Sequence, residues 1–93
     1  MTQPIDINTK TPKTRAQEAV ERYGINLKGV ARGLALDYSK VRRAINPDYF
    51  RRVPFADVLR VRVRVGALIE ASGYEGDVTE LWAEYDRMID MAA

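Results

Sequence analysis

VLRVRVRVGALIEA, residues 58–71, is the stretch whose period decides the fold. From Arg60 to Val65 arginine and valine alternate, as they would along a strand with one buried face. The same letters carry a second period. Val58, Val61, Val65 and Leu68 fall three or four residues apart, which lines them along one face of a helix. The apolar pattern continues through Ala67, Ile69 and Ala71 and meets no turn signal before Gly73. Pro54 suits the opening of a helix, and an element of about 18 residues is too long for an ordinary strand and has no hairpin partner. The reading is helix, and the chain is all-α, a compact bundle of about five helices. Were residues 58–65 a strand, the fold would be a winged helix instead.

Upstream of Pro54, Asp48–Val53 (DYFRRV) is a connector with two aromatics and two arginines. Before it, LKGVARGLALDYSKVRRAIN, residues 27–46, reads as two short helices joined by a tight turn. Asn26 caps the first, and Leu27, Val30, Ala31 and Leu34 form its buried stripe. Gly29 and Gly33 each cost about 1 kcal/mol against alanine, and their small size is read as room for a neighbouring helix. Asp37 caps the second helix, Tyr38–Ile45, with Val41, Ala44 and Ile45 facing inward. Asn46-Pro47 ends it, because the residue before a proline resists the helical region. Earlier still, Thr11 and Pro12 are placed as N-cap and first residue of an opening helix. Ala16, Ala19, Val20 and Tyr23 follow at helical spacing, Gly24 is the stop, and Ile25 packs under the junction. Residues 1–10 are polar and read as a flexible arm, residues 11–93 as a single domain.

Downstream of Gly73, one last helix is expected from Asp77 to Met91. Asp77 and Glu80 form an acidic capping pair at its start. Val78, Leu81, Trp82, Tyr85, Met88 and Ile89 make its apolar face. Of these, Leu81, Trp82, Tyr85 and Ile89 either close the monomer core or form a dimer contact.

Ninety-three residues bound a single small core. The chain has no cysteine, which excludes disulfides, thiol catalysis and cysteine metal sites. It has no histidine, the commonest general base and zinc ligand. Carboxylates such as Glu70, Glu75 and Asp77 are scattered and without a nucleophile, so neither an enzyme nor a metal or cofactor is expected. No apolar run approaches the roughly 20 residues of a membrane span. The net charge of +2 hides an asymmetry. Residues 10–64 hold 14 basic and 5 acidic residues, for +9, whereas residues 65–93 hold 1 basic and 7 acidic, for −6. A basic front and an acidic back present one face to a polyanion and another to something else.

Residues 27–46 resemble the helix-turn-helix of bacterial and phage repressors. Val30, Ala31 and Leu34 match the buried positions of its first helix, Leu36 the apolar residue of its turn, and Val41 with Ala44 or Ile45 the buried positions of its second. The wording is similar to that of the lac-repressor family at Val30-Ala31, Leu36-Asp37-Tyr38 and Val41-Arg42-Arg43, and IEASGY, residues 69–74, resembles the end of that family's next helix. Two departures stand out. Ala35 occupies a turn position usually held by glycine, which implies strain or a different turn. The 93 residues also hold a helix before the motif and no large sugar-binding domain, a layout more similar to small phage-repressor or Cro-type regulators and to regulators of integrative mobile elements.

The resemblance implies a sequence-specific regulator of transcription that binds double-stranded DNA. It would be a repressor from a phage or mobile element, acting as a homodimer in the cytoplasm of a bacterial host, at the nucleoid. Residues 38–46 would enter the major groove. Tyr38, Ser39 and Arg43 would touch base edges, Arg43 having the fork to bind guanine with two hydrogen bonds. Lys40, Arg42 and Asn46 would take base or phosphate. Lys28, Arg32, Arg51 and Arg52 would hold phosphate. Arg60, Arg62 and Arg64 spread round their helix, some pairing with the acidic last helix. Two alternatives stay open. One is a helix-turn-helix fold used to bind another regulatory protein, as an anti-activator or antirepressor does. The other is an excisionase-like architectural factor that bends recombination-site DNA.

Overall fold

A computed structural model describes residues 12–92, and among them all regular structure is helical. The expected arm, residues 1–10, and Thr11 lie outside the described residues. Five α-helices appear in order: α1 Arg15–Arg22, α2 Leu27–Leu34, α3 Tyr38–Ala44, α4 Phe55–Ala71 and α5 Ala83–Ala92. Two 3-10 segments, Phe50–Arg52 and Val78–Trp82, lead into α4 and α5. No described helix is long and apolar enough to cross a membrane.

Residues 58–65 lie wholly inside α4, so there is no winged-helix strand. Burial shows why the helical period wins. Val58, Val61, Val65 and Ile69 are all sealed in the core, while Val63 is 73% exposed. A strand would have put Val61, Val63 and Val65 on one face. The helix instead buries the three- and four-residue series and sheds the alternate valine to the surface.

Local side-chain chemistry sets most helix ends, with some corrections to the expected ones. α1 begins at Arg15, and Pro12 lies outside it. Its N-cap is Thr14, whose Oγ1 accepts from the Gln17 N–H at 3.1 Å while Gln17 Oε1 accepts from the Thr14 N–H at 3.0 Å. That reciprocal box outweighs the proline signal two residues earlier. Gly24, at φ +63°, follows its C-terminus. Asn26 caps α2 by accepting from the Gly29 N–H at 3.0 Å. Asp37 stands at the N-cap position of α3 but makes no capping hydrogen bond through its side chain, and α3 stops at Ala44 with Ile45 as its C-cap. The two glycines of α2 do not admit a neighbouring helix. A Cβ on Gly33 would meet nothing within 4 Å, and one on Gly29 would meet only the Asn26 side chain.

The last segment is not one helix from Asp77. The Asp77 carboxylate accepts from the Thr79 N–H at 3.0 Å and the Thr79 hydroxyl at 2.6 Å. The Glu80 N–H donates to the Asp77 carbonyl at 3.0 Å. This tight i to i+2 and i+3 pattern winds residues 78–82 as a 3-10 helix, with Asp77 as its N-cap and Glu80 in its first turn, so the expected acidic pair sits at the start of a 3-10 segment rather than of one long helix. Leu81, Trp82 and Tyr85 all turn into the core. The Tyr85 ring lies edge-on to Phe50 at 5.1 Å and beside Trp82 at 5.4 Å. These three residues close the monomer, so a dimer contact built on Leu81, Trp82 and Tyr85 is corrected; of that set only Ile89 keeps partial exposure.

Tyr85 also carries the longest-range polar link. Its hydroxyl donates to the Ile45 carbonyl at 2.6 Å and lies 2.7 Å from Thr14 Oγ1. A phenol has one proton, so the Thr14 hydroxyl must donate to Tyr85. The proton order is therefore fixed from the Gln17 N–H through Thr14 and Tyr85 to the Ile45 carbonyl. The start of α1 and the end of α3 are tied through α5. Nearby, Arg62 is 8% exposed. It donates to Asp86 at 2.9 Å, and its guanidinium sits 5.5 Å from the ring centres of both Trp82 and Tyr85. This is the expected pairing of an α4 arginine with the acidic last helix.

α2 ends at Ala35 with φ 58° and ψ 43°, the left-handed conformation. The Leu36 N–H then donates to the Ala31 carbonyl at 2.9 Å and closes the helix end. The usual glycine turn is kept and alanine bears the strain. Ala35→Gly relieves a left-handed cost of about 1–2 kcal/mol but gives back part of it in unfolded-chain entropy. The variant is expected to be more stable by up to about 1 kcal/mol, seen as a higher urea midpoint at unchanged slope.

Candidate nucleic-acid interface

α2 and α3 pack together through small and branched side chains. Val30 and Ala31 on α2 and Val41, Ala44 and Ile45 at α3 are all buried. With that face spent, Tyr38, Ser39, Arg42 and Arg43 are left exposed on α3. The Tyr38 ring gathers cations from both helices. Lys28 Nζ stands 5.5 Å from its centre and the Arg42 guanidinium 5.7 Å. Both are within cation–π range, which fixes the exposed ring without covering it.

Ser39, Arg42, Arg43, Asn46 and Tyr49 line one shallow cavity of ≈ 230 Å³. Pairwise contacts extend this group at both ends. Tyr38 carries it to Lys28 on α2, and Tyr49 carries it to Arg52, whose guanidinium lies 5.5 Å from the Tyr49 ring. Arg51 lies 5.9 Å from the Phe50 ring centre beside them. Arg32, one turn after Lys28 on α2, is also exposed. The sequence-predicted residues Lys28, Tyr38, Ser39, Arg42, Arg43, Asn46 and Arg52 thus form one run of neighbouring side chains.

Two predicted residues are used differently. Lys40 points across to α4, where its ammonium pairs with Asp57 at 3.2 Å, both groups partly buried. Its charge is satisfied inside the chain, and it is removed from the cluster. Asn46 lines the cavity, but its Oδ1 accepts from the Asp48 N–H at 2.8 Å, so that oxygen holds the turn after α3. Tyr49 is a further site residue, outside the set expected from the sequence. The signal was present in DYFRR, an aromatic beside two arginines just after the cationic helix.

Ion pairing separates the basic residues into two groups. Lys13, Arg15, Lys40, Arg60 and Arg62 each pair with a carboxylate. Among the described residues, Lys28, Arg32, Arg42, Arg43, Arg51 and Arg52 do not, and neither do Arg22, Arg64 and Arg87. Unpaired cations on exposed side chains keep their field for an external anion. Arg60 adds a structural role: it donates to the Leu34 carbonyl at 2.8 Å and pins the end of α2 to α4. The surface at α3 is exposed and cationic, and it supplies hydroxyl, amide and guanidinium groups side by side. Set against protein-family models, curated proteins and solved structures, the chain matches none of them.

Proposed function

We infer that the chain is a regulator that binds double-stranded DNA and reads the major groove with α3. The observation that carries this is the run of carboxylate-free cations, Lys28, Arg42, Arg43 and Arg52, joined through Tyr38 and Tyr49 around the outward face of one short helix. A major groove about 12 Å wide admits a helix, and its base edges show donors and acceptors that Arg43, Ser39 and Tyr38 can pair with. Lys28, Arg32, Arg51 and Arg52 flank that helix and hold phosphate. The α2–turn–α3 unit serves as the helix-turn-helix that residues 27–46 resemble, and the same resemblance supports a repressor of a phage or mobile element. The acidic residues of the last helix are repelled by DNA.

Selection of bound duplexes from a random pool tests this reading. A single enriched motif is the expected result; retention of all sequences equally would contradict it. Salt gives a second readout. Phosphate contacts from Lys28, Arg32, Arg51 and Arg52, with Arg42 as a fifth, release counterions with a slope of log K against log salt of about −4.5, and Lys28→Ala is expected to make that slope shallower by about 0.9. A binding constant indifferent to salt would remove the phosphate assignment.

A further inference from the structure

We propose that two copies of the chain pair through the outer face of α4, with the two helices running parallel. Phe55, Leu59 and Val63 are 57%, 42% and 73% exposed, and exposed Ala67 extends the same four-residue series. This is an apolar ridge on a helix whose opposite face fills the core. A groove runs along each side of it. One, of ≈ 430 Å³, is lined by Leu34, Arg60 and Arg64 together with Leu59, Val63 and Ala67. The other, of ≈ 420 Å³, shares Leu59, Val63 and Ala67 and has Arg62, Glu70 and Asp86 along its far side. A ridge of residues four apart with a groove beside it is the shape that packs against its own copy, each ridge in the other's groove. Exposed apolar patches of this kind mark protein contacts.

The charges on the flanks choose the occupant and its direction. Arg64 stands one position beyond Val63, about 100° round the helix on the α2 side, and makes no ion pair among the described residues; Arg60, at the matching place beyond Leu59, shares its charge with Asp57 and the Leu34 carbonyl. Asp86 stands on the α5 side and is held by Arg62, level with a point between Arg60 and Arg64. Arg62 consumes only part of that charge, because the Asp86 side chain remains 60% exposed. A two-fold axis between antiparallel helices would set Arg60 and Arg64 against their own counterparts. A two-fold axis along parallel helices sets them against the partner's Asp86. A second copy laid parallel therefore covers the apolar ridge and meets the basic flank with an acidic one. It also supplies a pairing surface in place of Leu81, Trp82 and Tyr85, which the core has taken.

Sedimentation of the full chain without DNA reads this apart from any DNA contact. The wild-type chain is expected to form a dimer that Val63→Glu weakens by about thirtyfold or more. Thermal melting of that variant, measured at concentrations where both chains are monomeric, should be unchanged, because Val63 touches no core. Arg64→Ala is expected to weaken pairing in the parallel arrangement; tighter pairing would show the arginines facing each other and overturn it. A wild-type chain that stays monomeric to about 100 μM also overturns it and leaves the ridge to a different protein. So does a dimer that Val63→Glu leaves intact, or open-ended growth in place of a closed pair.

Discussion

Tyr85→Ala is expected to cost about 3–5 kcal/mol, the range for removing a large buried aromatic. The ring is fully buried between Phe50 and Trp82. Tyr85→Phe isolates the hydroxyl. It keeps the ring and leaves the Ile45 carbonyl without its donor and the Thr14 hydroxyl without its acceptor. The expected cost is about 1–3 kcal/mol, read from the urea midpoint. The effect should also reach α3, because Ile45 is its C-cap. Amide exchange at Val41–Asn46 is expected to speed up more than exchange at Val61–Ile69.

The same phenol makes stability depend on alkaline pH. Burial first, with the nearby Glu84 carboxylate adding to it and the Thr14 hydrogen bond and Arg62 opposing, pushes Tyr85 up from 10.0 to about 12. Between those values the unfolded chain has released the proton and the folded chain still holds it. The contribution is therefore complete below pH 10 and is lost as pH rises through about 12. The loss amounts to roughly 2–3 kcal/mol at a slope near 1.4 kcal/mol per pH unit. Tyr85→Phe lacks this group, so the gap between variant and wild type should narrow above pH 10. A gap that stays constant from pH 9 to 12 would contradict the assignment.

The second large effect is on DNA. Arg42→Ala with Arg43→Ala is expected to weaken binding to the selected duplex by about a hundredfold or more, each arginine contributing roughly 1–3 kcal/mol at its contact. The singles should differ in kind. Arg43→Ala, and Arg43→Lys with its fork removed, should relax preference at one base position. Arg42→Ala should weaken all sequences alike. Both side chains are exposed and make no ion pair among the described residues, so melting temperature should hardly move. A double variant that binds the selected duplex as tightly as wild type would take the reading surface off α3.

The residues that announced the fold were those whose chemistry is local. Asn26 capping α2, Pro54 ahead of α4 and Gly24 after α1 act on backbone within a few positions, so the end of α1 and the starts of α2 and α4 could be read from the letters. The helical period of Val58, Val61 and Val65 likewise needs only a face to bury. What the letters did not carry depends on distant partners. Thr11 and Thr14 are equally good caps by type, and the choice of Thr14 is fixed by Gln17 and by Tyr85, 71 positions away. Lys40 resembles its cationic neighbours until Asp57 on α4 claims it. Trp82 and Tyr85 carry an apolar face that would serve a dimer or a core, and only the packing of Phe50 against Tyr85 decides. Of the candidate site, the α3 residues were legible because their exposure follows from the buried positions of the same helix. Tyr49 was not, because its place beside Arg43 depends on how the chain turns at Asn46.

The most direct test of α3 as the reading surface is amide chemical-shift mapping while the selected duplex is titrated into the labelled chain. The largest shifts are expected at Tyr38, Ser39, Arg42, Arg43, Asn46 and Tyr49, with smaller ones at Lys28 and Arg52. Shifts confined to α4 and α5, with residues 38–49 unmoved, would contradict it.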